Sequence, residues 1–188
     1  GLYNRASSAP FKRIGFVEAM ETYGSDKPDL RIDLTVTDAT ELLADCGFEP
    51  FAGQTVKAIV VTDFNAPRKQ IDKLCADVEV QAGEKAYWFR LDEKGELVGG
   101  ISKFLQENKG QVISALGLAP NCFVGLTAGK RLSAQKTAGV LRNKLGNFCP
   151  GHMKREQYAF CWIVDFPMYE IGEESGELEF CHNPLDRK

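Results

Sequence analysis

Histidine and cysteine are the residue types of this chain that most directly suggest metal-ion or nucleophilic chemistry. The chain has two histidines and six cysteines; Cys149 lies three positions before His152, and Cys181 adjoins His182. A structural zinc site needs four such ligands, usually as two close-spaced pairs. No CxxC pair and no GxSxG motif occurs. The sequence therefore predicts neither a bound metal nor a hydrolase triad.

Basic side chains are concentrated in one part of the chain, where they could contact phosphate groups. From Lys130 to Arg155 there are seven Lys and Arg residues and no Asp or Glu, whereas Gln157 to Asn183 contains six acidic residues and no basic one. Two interpretations stay open: a solvated helix face, or contact with a nucleic-acid backbone. The candidate phosphate contacts are Lys130, Arg131, Lys136, Arg142 and Lys144.

Length and composition exclude several classes of protein. The chain has 188 residues, 44% hydrophobic and 26% charged, which is the composition of a globular domain and argues against a disordered or coiled-coil protein. A formal net charge of −3 gives no overall attraction to nucleic acid. No apolar run approaches the roughly 20 residues of a membrane helix, and no signal peptide is apparent. We therefore expect a cytoplasmic protein with reduced cysteines and no membrane partner.

The spacing of apolar residues predicts the elements that would position these side chains. Helical spacing covers residues 16–23, 38–46, 67–82, 103–106, 112–116 and 133–145, with stop signals at Gly24, Gly47, Gly83 and Gly146. Strand patterns cover residues 55–62, 86–91, 97–101 and 122–126. Because strands and helices alternate from about residue 48 to 146, we predict one sheet covered by helices on one side, able to fold by itself.

The C-terminal part of the chain has a different pattern. Residues 158–166 are nearly continuous in apolar and aromatic side chains, which is typical of a strand buried on both faces. Ser175 and Gly176 form a turn signal, after which Leu178 to Phe180 can pair back as a hairpin arm. A buried strand needs a larger sheet than this segment provides. We infer that residues 158–183 belong to a second structural body completed elsewhere.

Two segments resemble the bacterial-type aspartyl-tRNA synthetases, which are class II enzymes. YGSDKPDLR at residues 23–31 resembles the segment shortly after the second class II motif, and CWIVDFPMYE at residues 161–170 resembles the core strand where the catalytic domain resumes. The resemblance implies that residues 1–33 and 155–188 belong to the catalytic domain and its sheet. Residues 34–154 would be the GAD insertion domain, an α+β two-layer sandwich whose mostly antiparallel sheet carries helices on one face.

The resemblance also implies the function of a longer parent protein. Enzymes of this family use ATP and magnesium to form an aspartyl adenylate and then transfer aspartate to tRNA, and the parent would be a homodimer. The second and third motifs, which supply the family's nucleotide-binding arginines, are absent from this sequence, so we expect the chain alone to be inactive and to bind no cofactor. The alternatives are a free-standing RNA-binding module and a non-catalytic protein that associates with a synthetase.

One ligand-binding residue can be transferred by resemblance. His182 begins the sequence HNP, which matches the family element whose first histidine contacts the substrate aspartate, and an imidazole suits a carboxylate. After Pro184 the sequence departs from the family pattern. No catalytic residue is predicted in this chain, and the five basic candidates become possible tRNA contacts. For the charged loop at residues 26–31, two roles stay open: ion pairs that hold the start of the insertion, or contact with the acceptor end of tRNA.

Overall fold

The computed structural model describes residues 9–171 and 176–180. Its strands are β1 (Lys12–Gly15), β2 (Thr37–Asp38), β3 (Thr55–Val61), β4 (Ala86–Leu91), β5 (Leu97–Val98), β6 (Cys122–Gly129), β7 (Cys161–Val164), β8 (Tyr169–Ile171) and β9 (Leu178–Phe180). Five of them form the main sheet in the order β2–β3–β6–β4–β5, and every neighbouring pair in it is antiparallel. The predicted α+β fold with an antiparallel sheet is confirmed.

Two long helices and three short ones accompany these strands in the described residues. They are α1 (Phe16–Tyr23), α2 (Thr40–Leu43), α3 (Arg68–Ala82), α4 (Lys109–Leu116) and α5 (Arg131–Phe148). Short 3-10 helices cover Glu49–Phe51, Ser102–Phe104 and Pro150–His152. Within the described residues, none of the helices combines the length and the apolar character that crossing a membrane requires.

The long helices α3 and α5 cover one face of the main sheet. Ile71 of α3 and Leu141 of α5 belong to one buried cluster with Ile59 of β3 and Phe123 of β6. At Gly125 of β6 the helix α5 comes so close that a Cβ would lie 2.9 Å from a methyl carbon of Leu141. This face has the arrangement that the sequence predicts.

The opposite face of the sheet is covered too, so the prediction of two layers with helices on one face is wrong. Leu43 of α2, Phe51 of a 3-10 helix and Val112 of α4 form a second buried cluster with Val56 and Val124 of the sheet. Alternate residues along β3, β4 and β6 thus point into two different cores. The near-continuous apolar sequences of β3 and β6 indicate burial on both faces, and that signal was available in the sequence.

Two smaller sheets of two strands each lie outside the main sheet in the described residues. β1 pairs in parallel with β7, and β8 pairs with β9 as an antiparallel hairpin. Phe160 and Trp162 are 51% and 60% exposed, so the described residues alone do not bury both faces of this strand, and its burial in a larger sheet completed elsewhere stays a prediction. A sheet of two strands has too little surface to cover both faces of β7. The predicted hairpin arm at Leu178–Phe180 is confirmed.

Of the glycines that were predicted to end helices, Gly24 does so and Gly146 does not. α1 ends as predicted: Gly24 adopts the left-handed conformation, with φ of 66°, and its N–H donates to the Met20 carbonyl oxygen. α5 instead continues through Gly146 to Phe148. A Cβ at Gly146 would lie 2.7 Å from the Ile32 side chain. Gly146 therefore serves close packing between α5 and the chain before β2.

The helix predicted over residues 38–46 is reduced to the single turn of α2. The Asp38 carboxylate accepts a hydrogen bond from the Thr40 N–H at 2.9 Å and another from Lys57 Nζ at 2.8 Å. The carboxylate thus contacts a cation in the neighbouring strand β3.

The pair Gly99–Gly100 allows a turn to lie over Trp88. A Cβ at Gly99 would lie 2.5 Å from the indole ring, and one at Gly100 would lie 1.7 Å from the Trp88 carbonyl oxygen. Both glycines have positive φ, 72° and 48°, which side chains disfavour. The two glycines therefore allow the turn to pack closely on Trp88. Trp88 is only 7% exposed and belongs to the buried cluster that contains Ile59 and Phe123.

Candidate functional site

The predicted site residues fall into two groups. His182 lies outside the described residues, as does Cys181, so the ligand role of His182 stays a prediction. The five basic candidates lie on α5 or directly before it. One side of α5 is buried along its whole length. The structure therefore separates these basic side chains by burial and does not present them as one surface.

Cys149 and His152, the pair considered for zinc, contact other groups. His152 Nδ1 lies 2.8 Å from a carboxylate oxygen of Asp33, and its Nε2 lies 3.2 Å from the Thr62 carbonyl oxygen. Burial raises the pKa of the Cys149 thiol to about 11, which disfavours the thiolate that binds metals. Among residues 9–171 and 176–180, no group of three or more His, Cys, Asp and Glu side chains could hold a metal ion.

Arg142 is buried in this structure, which argues against its candidate role as a tRNA contact. Its side chain is 1% exposed and donates to the carbonyl oxygens of Leu34 at 2.6 Å, Ile32 at 2.7 Å and Asp29 at 3.0 Å. Its guanidinium carbon also lies 4.9 Å from the centre of the Tyr23 ring. Burial lowers the pKa of Arg142. Its role is to bind the chain segment between α1 and β2.

Arg131 takes part in a charged network centred on Glu21 of α1. The Glu21 carboxylate accepts hydrogen bonds from Arg131, from Lys57 Nζ at 2.6 Å and from Gln135 Nε2 at 2.7 Å. Burial raises the pKa of Glu21, but hydrogen bonds from Lys57 and Arg131 outweigh it, and the net pKa lies below the ordinary value. Glu21 therefore stays ionised and joins α1 to β3 and α5.

Lys57 is a buried cation on β3. It lies on the same face of the strand as Ile59, the face that α3 and α5 cover. Its side chain is 1% exposed and contacts two carboxylates, those of Glu21 and Asp38. Burial raises the pKa of Asp38, yet hydrogen bonds from Lys57 and Thr40 lower it to about 2. Burial also lowers the pKa of Lys57, but its two carboxylate partners raise the pKa above the ordinary value. All three groups are therefore charged at neutral pH.

The remaining basic candidates keep some exposure. Lys130 and Lys136 are exposed, and Lys144 is half-buried. Lys136 lines a groove of about 390 Å³ between α1 and α5, whose wall also includes Asp26 and Asn143. Since an acidic side chain lies in the same groove, this surface is not strongly basic.

The charged loop at residues 26–31 contains two local ion pairs. Lys27 Nζ lies 2.9 Å from Asp26, and the Arg31 guanidinium donates two hydrogen bonds to the Asp29 carboxylate, at 2.9 and 2.7 Å. The hydrogen bond from Arg31 is the main cause that lowers the pKa of Asp29. Because Arg142 of α5 donates to the Asp29 carbonyl oxygen as well, these contacts favour the role of holding the chain.

Sequence reasoning did not identify Glu21 or Lys57 as important residues, nor Gly139 of α5, where an added Cβ would lie 2.1 Å from the Gly24 carbonyl oxygen. Lys57 carried a usable signal, since it is the one charged residue within the apolar strand 55–61. A cation at a position that alternation assigns to a buried face requires an anionic partner. Glu21 and Gly139 lie on ordinary amphipathic helices, and the sequence pattern gives no indication of their contacts.

Comparison with known proteins decides the family. The family model described as tRNA synthetases class II (D, K and N) matches residues 3–188. This chain belongs to that family. Among its relatives, the aspartate–tRNA ligase of Streptomyces coelicolor is 43% identical over 184 residues, and the aspartate–tRNA(Asp/Asn) ligase of Zymomonas mobilis is 40% identical over 183 residues. These alignments cover 96% and 94% of this chain.

This chain spans only about a third of the length of these relatives. It covers 31% of the Streptomyces protein and 30% of the Zymomonas protein. The alignment with the aspartate–tRNA ligase of Streptococcus suis has a similar extent. It is 39% identical over 180 residues, which are 94% of this chain and 30% of that protein. The resemblance to aspartyl-tRNA synthetases, first indicated by residues 23–31 and 161–170, is confirmed.

Proposed function

We propose that this chain is part of an aspartate–tRNA ligase, an enzyme that uses ATP to attach aspartate to tRNA. The observation that carries the proposal is the extent of the similarity: relatives named aspartate–tRNA ligase or aspartate–tRNA(Asp/Asn) ligase match 94–96% of the chain at 39–43% identity. A match of this extent includes both the main sheet and the strands at either end. Similarity confined to one shared domain would not support a common activity as strongly.

Within this enzyme, residues 34–154 are a GAD-like insertion, and residues 1–33 and 155–188 belong to the catalytic domain. Contacts where the chain enters and leaves the main sheet unit support this division. Ile32 pairs with Met153 in an isolated antiparallel bridge, and the Lys154 N–H donates to the Arg31 carbonyl oxygen at 3.0 Å. The two connections thus lie side by side, as an insertion requires, and β1 and β7 beyond them pair with each other.

The chemistry of the whole enzyme comes largely from residues outside the described part of this chain. ATP would activate the aspartate carboxylate with release of pyrophosphate, and magnesium would offset the negative charge of the phosphates, but the described residues form no metal-binding group, so we assign them no step with the nucleotide. His182 contacts the carboxylate of the substrate aspartate through a charge-assisted hydrogen bond. The remaining partners in this proposal are tRNA and a second copy of the enzyme, in the cytoplasm.

Aspartate-dependent pyrophosphate exchange by the complete enzyme tests the proposal. The variant His182→Ala should lower kcat/KM for aspartate roughly 10- to 100-fold, because a hydrogen bond to a charged group contributes about 1.5–3 kcal/mol. The matched control is His152→Ala, the same change at the chain's other histidine, which should leave kcat/KM within about twofold. The proposal fails if the complete enzyme shows no exchange with aspartate. If exchange occurs but His182→Ala is unchanged, only the assignment of His182 fails.

The competing function is a free-standing RNA-binding module that uses the basic stretch. The burial of Arg142 removes one of its five candidate contacts, and Arg131 is paired with Glu21. We therefore expect the 188-residue chain to bind acceptor-stem RNA weakly and with a shallow salt dependence in filter binding. Tight binding with a steep salt slope, lost on substitution of Lys130 and Lys136, would favour the RNA-binding module.

A further inference from the structure

The C-terminal half of helix α1 packs against α5, and backbone atoms and charged groups make the contacts. We infer that α5 is an intramolecular docking surface that fixes α1, and through α1 the strand β1, relative to the main sheet. The inference does not depend on the proposed function. It concerns residues 16–33, which the domain division above places outside the insertion.

The closest contact between the helices joins two glycines. A Cβ at Gly139 of α5 would lie 2.1 Å from the Gly24 carbonyl oxygen, and one at Gly24 would lie 2.3 Å from the Gln135 carbonyl oxygen. Real Cβ atoms do not approach backbone atoms so closely, and a backbone atom, unlike the end of a flexible side chain, cannot turn aside. A side chain at either glycine would therefore push α1 away from α5.

Charged contacts flank the glycine contact on both sides. Toward the N-terminus of α5, Arg131 and Gln135 donate to the Glu21 carboxylate. Toward its C-terminus, Arg142 contacts the Tyr23 ring and the carbonyl oxygens of the segment that follows α1. The docking surface therefore holds the C-terminal half of α1, from Glu21 to Gly24, and the segment that follows it.

The helix α1 needs this support because it is short. It has eight residues, and isolated helices shorter than about 12–15 residues are marginal in water. β1 ends at Gly15 and α1 begins at Phe16, with no linker between them. The centres of the Phe16 and Phe166 rings lie 5.2 Å apart. Whatever fixes α1 therefore fixes the parallel pair β1–β7 as well.

Amide hydrogen exchange of the 188-residue chain tests this inference. In the wild type, the hydrogen-bonded amides from Met20 to Gly24 should exchange at least 100-fold more slowly than in an unstructured peptide. Gly139→Ala should accelerate these amides at least tenfold while the amides of β3 keep their protection. The matched control is Gly110→Ala on α4, where a Cβ would meet nothing within 4 Å; it should change neither set of amides.

A second variant covers the case in which Gly139→Ala does not fold. Glu21→Gln keeps the shape of the side chain and removes its charge, and it should accelerate the α1 amides by roughly three- to tenfold with β3 unaffected. The inference is overturned if the α1 amides of the wild type exchange as fast as an unstructured peptide. It is also overturned if a folded Gly139→Ala variant, or Glu21→Gln in its place, leaves the protection of α1 unchanged.

Discussion

Replacing Arg142 with alanine should destabilise this protein strongly, although the residue lies in what the sequence presents as a basic, solvated helix. Its guanidinium donates hydrogen bonds to three carbonyl oxygens, those of Leu34, Ile32 and Asp29, at 2.6–3.0 Å. Removing it leaves these acceptors without a donor, at a cost of about 1–3 kcal/mol for each one that water does not reach. The removal also ends the contact with the Tyr23 ring.

Two effects reduce this sum. The alanine variant no longer carries a buried charge, and water can enter part of the vacated space. We therefore expect Arg142→Ala to lower the free energy of unfolding by about 3–5 kcal/mol, within the range for removing one partner of a buried charged contact. Arg142→Lys should cost about 2 kcal/mol, since a single ammonium group cannot reach three carbonyl oxygens in different directions.

Urea unfolding of the 188-residue chain, followed by far-ultraviolet circular dichroism, measures these differences. Lys136→Ala is the matched control, because Lys136 lies on the exposed side of the same helix; its unfolding free energy should stay within about 0.5 kcal/mol of the wild type. If Arg142→Ala also stays within about 1 kcal/mol of the wild type, the buried contacts do not contribute to stability as we reason.

Three further predictions concern charges, thiols and the extent of the folded unit. Because the pKa of Asp38 falls from 3.8 to about 2 on folding, the stability it contributes is present at neutral pH and lost on acidification; urea unfolding of Asp38→Asn should converge with that of the wild type between about pH 5 and pH 2. Burial raises the pKa of Cys75 and of Cys149 to about 11, so mass-spectrometric mapping at pH 8 should show both thiols alkylated at least roughly tenfold more slowly in the native chain than in urea. An excised segment 34–154 should melt cooperatively in calorimetry but at a lower temperature than segment 16–154, because it lacks carbonyl and carboxylate partners of the two buried cations; equal melting temperatures would contradict this.

The regular elements could be predicted because their signals are local. Helix α1 matches its predicted range of residues 16–23, and β4 matches residues 86–91, since apolar spacing and a glycine stop suffice to define them. The second layer was not predicted, although helical spacing was recognised over residues 38–46, 103–106 and 112–116. That spacing does not show which face of the sheet a short helix covers, and Phe51 reaches the core from a single 3-10 turn.

The roles of charged residues were harder to predict because their partners are distant in sequence. Arg142 contacts Leu34, more than 100 positions away, and Lys57 contacts Glu21, 36 positions away. Helical spacing did contain a partial signal for Arg142. It lies four positions after Ala138 and three before Leu145, both of which belong to the buried face of α5. A charge count along the sequence ignores this geometry.

The two tryptophans give this protein a built-in pair of optical probes. Trp88 is enclosed by the buried cluster around Ile59 and Phe123 and by the turn at Gly99–Gly100. Trp162, on β7, is 60% exposed. An enclosed indole emits at shorter wavelength than one in contact with water, so the emission spectrum should contain two separable components. Quenching by iodide would report on Trp162 and therefore on the strand pair β1–β7, while the blue component would report on the main sheet. Binding of any partner to either part could then be followed without an attached dye.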